Sequence, residues 1–91
     1  MAKAVHTVQL TPAAERDLKR IKDRAARARM ARAIDGLATD PRPASAKALQ
    51  GDGAILRLRV GDYRILYTIE DAVLLVLVIR MGHRRDVYRN R

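Results

Sequence analysis

Ninety-one residues allow one compact domain, 1–91, and a domain of this size buries only a modest share of its surface. The chain has no cysteine, which excludes a disulfide framework and a thiolate metal site and suits a reducing cytosol; with no tryptophan or phenylalanine, its core must be built from Leu, Ile, Val, Ala and Met. Nineteen basic residues against ten acidic ones leave a net charge of +9, which calls for a polyanionic partner: nucleic acid, an anionic membrane surface or an acidic protein.

The opening Met1-Ala2-Lys3-Ala4-Val5-His6 lacks the apolar stretch of a signal peptide. Val5 to Leu10 reads as a first strand of mixed alternation. Thr11-Pro12 starts a helical region: threonine caps, proline suits the first helical position, and Glu15 lies near the positive end of the helix dipole. Ala14, Leu18, Ile21 and Ala25 share one face at helical spacing, and Met30, Ile34 and Leu37 continue the stripe. This predicts two helices, or one bent helix, from Pro12 to Ala38, with a break between Asp23 and Ala26. Asp40-Pro41-Arg42-Pro43 ends the region.

Ala44 to Gly53 is a connector carrying Lys47, Leu49 and a Gly-Asp-Gly turn, after which the period changes to two. Leu56, Leu58 and Val60 point one way, Arg57 and Arg59 the other. Gly61-Asp62 suits a tight hairpin with glycine first. Tyr63, Ile65, Tyr67 and Ile69 then share a face, and Arg64, Leu66 and Thr68 share its opposite. Glu70-Asp71 makes a second turn, and Val73 to Ile79 follows as a central strand. The run Ala72 to Ile79 falls far short of the roughly 20 residues that span a bilayer. Without a lipidation motif or a strongly amphipathic apolar face, no membrane partner is expected. Met81 to Arg91 reads as a polar, basic tail. The order β-α-α-β-β-β plus tail implies an α+β fold, two N-terminal helices packed on one face of a small antiparallel sheet.

The cations of the sheet half carry the functional signal. Arg57, Arg59 and Arg64 come from neighbouring hairpin strands; Arg80, His83, Arg84 and Arg85 follow the third strand, with Tyr88 just after. If the strands pair, these groups converge on one face, where planar guanidinium forks match phosphate oxygens and stabilise added charge on a phosphodiester. The bland alternatives stay open: Arg57 and Arg59 as a solvated face, Arg84-Arg85 as a surface charge cluster, Tyr63 and Tyr67 as core. Lone His6 is given no role, and the helix charges from Arg16 to Arg32 read as a solvated face more than as a binding site. No paired carboxylates suit glycoside hydrolysis, no glycine loop cradles a nucleotide, and two distant histidines make no zinc site, so neither cofactor nor metal is expected.

The segments TPAAERDLKRI, DPRP, AKALQG, LRLRVGDYRILYTI and IRMGHRRDVYR, in this order and spacing from about Val5 to Tyr88, resemble the RelE/ParE toxin superfamily. The resemblance implies a cytoplasmic toxin held inactive by a cognate antitoxin, and contact with operator DNA only through that antitoxin. Its RelE-like members cleave mRNA in the ribosomal A site without a metal; its ParE-like members poison DNA gyrase. It places Arg57 at a basic strand residue that works on RNA, Arg64 at the arginine of the scissile phosphate, and Arg84 and Tyr88 at the C-terminal active-site arginine and tyrosine. These favour the nuclease branch, with Lys47, Arg59, Arg80, Arg85 and Arg89 holding mRNA or ribosomal RNA phosphates. A gyrase poison, or a nuclease-dead co-repressor acting with its antitoxin, are the alternatives. Where the best-known RelE has a lysine pair, this chain has Ile55 and Arg57. Arginine effectively cannot lose its proton, so His83 and Tyr88 are left as candidates for the base.

Overall fold

The computed structural model describes residues 5–49 and 54–83. In chain order these form β1 (Thr7–Leu10), α1 (Pro12–Arg20), α2 (Arg24–Gly36), β2 (Lys47–Ala48), β3 (Leu56–Val60), β4 (Tyr63–Glu70), a 3-10 turn (Asp71–Val73) and β5 (Leu75–His83). The strands make one five-stranded sheet, ordered β1-β5-β4-β3-β2. The two helices pack on one of its faces, so the α+β class holds.

Local chemistry sets the helix ends. Thr11 has extended backbone angles, and its hydroxyl accepts the Ala14 N–H at 3.0 Å, while Pro12 opens α1 and Lys19 and Arg20 close it. Asp23 caps α2 by accepting the N–H groups of Ala25 and Ala26. The helical region therefore breaks over Ile21 to Asp23, two residues before the expected start of the break, because Asp23 serves as a cap and not as a helix interior residue. The break also resets the apolar stripe: Ala26 is buried in place of Ala25, and Met30 and Ile34 follow at four-residue steps. Arg27 Nη1 donates to the Ile21 carbonyl at 2.9 Å and straps the break.

β3, β4 and β5 form an antiparallel meander with Leu58 opposite Ile65 and Ile65 opposite Met81. Gly61 opens the first turn at φ +61, a left-handed angle that glycine adopts without strain; a Cβ there would also meet the Arg29 guanidinium at 3.2 Å. The second turn is longer than expected. Asp71–Val73 make a 3-10 turn closed by Leu74 at φ +50, so β5 begins at Leu75 and Val73 is 70% exposed.

Contrary to the all-antiparallel expectation, β1 runs parallel to β5, from Thr7 opposite Leu75 to Leu10 opposite Val78. The connector supplies β2, which takes the outer edge of β3 and leaves β5 as the open edge of the meander. Thr11 then turns the chain off the sheet, donating its N–H to Val78 and its hydroxyl to the Ile79 carbonyl.

The core lies between helices and sheet: Met30, Leu37, Ile65, Tyr67, Val76, Val78 and Met81 are nearly or fully inaccessible. Met81, expected in the polar tail, is a core residue. A bulge between Leu66 and Tyr67 shifts the register, so Leu66 faces Arg80 and Tyr67 faces Val78, and Met81 returns to the helix-covered face. Tyr67 fills the space that phenylalanine or tryptophan takes elsewhere, and its hydroxyl donates to the Pro41 carbonyl at 2.8 Å. Burial pushes its hydroxyl pKa up from 10.0 to about 12, reinforced by Asp40 and opposed by Arg42.

Candidate active site

Strand alternation sends Arg57, Arg59 and Arg64 to the sheet face away from the helices, because Leu58, Ile65 and Tyr67 occupy the covered one. Register then brings cations together across three strands. Lys47 on β2 pairs with Arg57 on β3, and Arg59 on β3 pairs with Arg64 on β4. Together with Ser45 these four line a cavity of about 120 Å³. Among the described residues its wall contains no carboxylate, and no ion pair engages Lys47, Arg57 or Arg59. Arg57 and Arg64 are partly buried, whereas Lys47 and Arg59 are exposed. Arg59 Nε also donates to the Gly61 carbonyl at 3.3 Å, which ties it to the hairpin tip. Like charges gathered without an acid favour an anion that carries its charge on several oxygens, as a phosphodiester does.

The other candidates are placed differently. His83 pairs with Tyr63, and their rings meet edge to face with centroids 5.7 Å apart. Tyr63 belongs to the covered face and packs on the core. Arg64, in contrast, pairs with Gly82, so the register sends Arg64 and His83 to opposite faces. Arg80 turns to α1, where its Nε and Nη2 donate to the two oxygens of Asp17 at 2.7 and 3.1 Å. This hydrogen bond raises the already high pKa of the guanidinium. Arg84, Arg85, Tyr88 and Arg89 lie outside the described residues.

Two polar groups carry structure that the sequence reading did not assign. Asp17 is 7% exposed and also accepts the Met81 N–H at 3.0 Å. Its signal was present: positions 14, 17, 18 and 21 fall on one helical face, and Asp17 puts a carboxylate into that apolar stripe. At the other end of the sheet, buried His6 brings Nε2 to 3.2 Å from Asp71 Oδ1, while Arg42 Nη2 donates to Asp71 Oδ2 at 2.8 Å. Arg42 first, and His6 second, hold the Asp71 carboxyl below the usual aspartate range. This group ties β1, the loop after α2 and the 3-10 turn together, and it is remote in register from the cationic cavity.

The fold has known counterparts. The family described as ParE toxin of type II toxin-antitoxin system, parDE, matches residues 8–88. Toxin RelG of Mycobacterium tuberculosis is 32% identical over 84 residues, covering 92% of this chain and 97% of that protein. The chain is also similar to the toxin–antitoxin complex RelBE2 of Mycobacterium tuberculosis, with a TM-score of 0.76 and 31% identity over 93% of this chain and 98% of that one. The isolated Escherichia coli RelE toxin shares the fold, with a TM-score of 0.74 at 21% identity over 91% of this chain and 90% of that one. The chain therefore belongs to the RelE/ParE superfamily of type II toxins, on its RelE-like branch.

Proposed function

We propose that this toxin is a ribosome-dependent endoribonuclease that cuts mRNA without a metal, acts in the cytoplasm and is neutralised by a cognate antitoxin. The observation that carries the reading is the cavity in which Lys47, Arg57, Arg59 and Arg64 converge, with no carboxylate among the described residues that line it. RelE-type relatives in complex with RelB antitoxins support the partner. Contact with operator DNA is assigned to the antitoxin.

The chemistry is an in-line transfer. The ribose 2′-oxygen forms a bond to its own 3′-phosphorus as the bond to the 5′-oxygen breaks, leaving a 2′,3′-cyclic phosphate and a free 5′-OH. Arg64 and Arg57 hold the charge that builds on the phosphorane oxygens. Arg84 holds the departing 5′-oxygen by hydrogen bonding, and solvent water supplies the proton that makes it a hydroxyl. Tyr88 takes the 2′-OH proton. The pairing of His83 with Tyr63 on the covered face argues for a positioning part for the histidine and against a proton-accepting one. Lys47 and Arg59, with Arg85 and Arg89, hold neighbouring mRNA and ribosomal RNA phosphates.

The test is to map RNA 5′ ends after brief expression. New 5′-hydroxyl ends inside translated reading frames, absent when initiation is blocked and absent when the antitoxin is co-expressed, are expected. The ParE description of the matching family favours gyrase poisoning as the second reading. Growth arrest with gyrase-linked DNA breaks and unchanged RNA ends would establish it, and normal growth with intact toxin would leave the co-repressor.

A further inference from the structure

β1 ends at Leu10, opposite Val78, and Thr11 leads the chain away into α1. Beyond Ile79, β5 keeps β4 on one side, and among the described residues no strand pairs with it on the other. The amide groups on that side belong to the last stretch of β5, Arg80 to His83, which leads into the segment bearing Arg84 and Tyr88. A buried backbone N–H needs an acceptor. For Met81 that acceptor is the side chain of Asp17, at 3.0 Å. Asp17 stands in for the missing strand, and Arg80 donates to both of its oxygens, at 2.7 and 3.1 Å.

We infer that Asp17 is a positioning residue: it fixes the end of β5 and, through it, the geometry with which the C-terminal arginine and tyrosine meet the RNA. The inference rests on the nuclease reading for its catalytic consequence but not for the anchoring itself. The surroundings make the anchor depend on charge. Arg16, Arg20 and Arg80 line one cavity of about 300 Å³, in which Asp17 is the one acid among the described residues. Take that charge away and three guanidinium groups face one another, which drives Arg80 outward and pulls on the strand that carries it. Asp17 and Arg80 are thus a pair in which Arg80 serves Asp17, and the pair serves the strand end.

The experiment uses full-length toxin released from its antitoxin complex, as wild type, Asp17→Asn, Arg80→Gln and the double variant Asp17→Asn/Arg80→Gln. Two readouts are taken on each. Hydrogen exchange of the Met81, Gly82 and His83 amides reports the anchor without requiring activity. Cleavage of a short mRNA on ribosomes under single turnover reports its consequence. Asp17→Asn is expected to speed those exchanges about tenfold relative to the β4 amides and to lower the maximal cleavage rate about ten- to a hundredfold. The toxin concentration for half-maximal rate should move less than about threefold, whereas a general loss of folded toxin would raise that concentration and leave the maximal rate unchanged. The double variant, in which two neutral amides face each other, should recover most of both losses. Unchanged exchange at Met81 to His83 in Asp17→Asn overturns the inference. So does faster exchange with undiminished cleavage, or a double variant that cleaves as poorly as Arg80→Gln, which would make Arg80 an RNA contact. A wild type that cleaves nothing refutes the nuclease reading, and the exchange data still decide whether Asp17 anchors the strand.

Discussion

Replacing Tyr67 by phenylalanine removes one oxygen from a fully buried ring and makes stability depend on pH in a way that can be worked out beforehand. At neutral pH the variant loses the hydrogen bond to the Pro41 carbonyl and leaves that acceptor without its donor, which costs about 1 kcal/mol. Wild-type Tyr67 has its folded pKa raised from 10.0 to about 12. A raised folded value means that the contribution is present in full below the unfolded pKa and is lost as pH climbs from 10 towards 12. At pH 11 the unfolded chain has gained about 1.4 kcal/mol from ionising this tyrosine while the folded chain has gained almost none. The two effects cancel near pH 11, so the stability curves of wild type and Tyr67→Phe should cross there. Urea unfolding of both proteins between pH 7 and 11.5 reads this directly, since every other titrating group is common to the pair. A gap that stays constant across this range, or a variant already more stable at pH 7, would refute the assignment of Tyr67 as a buried donor.

Three further outcomes follow from the site. Arg64→Ala should lower cleavage on ribosomes roughly a hundred- to a thousandfold with an unchanged melting curve; a folded variant of full toxicity removes Arg64 from the site. His83→Gln should cleave within about threefold of wild type, while Tyr88→Phe should slow cleavage tenfold or more. The reverse result, with the acid limb of the pH–rate profile flattened in His83→Gln, would return the proton to the histidine. Association with the antitoxin should slow as salt rises, because the cationic cavity steers an acidic segment towards it; stopped-flow rates that are flat from low to high salt contradict this.

The period-two pattern around Arg57, Arg59 and Arg64 was enough to place these residues on one face, because alternation dictates it and the hairpin glycine sets the register. The helix pair was equally readable from Thr11, Pro12 and the apolar steps. What the pattern did not carry are contacts between distant segments. The parallel seat of β1, the pull of Arg80 towards Asp17, and the separation of His83 from Arg64 all depend on where α1 lies against β5 and on one bulge at Leu66 and Tyr67. A bulge inverts the facing of everything after it, so Met81 looked like tail and is core, and His83 looked like a neighbour of the arginines and is paired with Tyr63. Asp17 was misread for the opposite reason: its charge suggested solvent, although its spacing placed it in the buried stripe.

The seat of β1 beside β5 also bears on when the toxin comes into being. Residues 7–10 are synthesised 68 positions ahead of their partners, residues 75–78. At about 5–20 residues per second, the first strand waits roughly 3 to 13 seconds for its neighbour. Before then the helices have only part of the surface they cover, and loop-closure entropy is set against the pairing. A nascent chain therefore has no finished sheet and no ordered β5 end while most of it is still being made. The toxin fold is thus held open by topology until residues 75–78 emerge, and the antitoxin is given those seconds to be at hand.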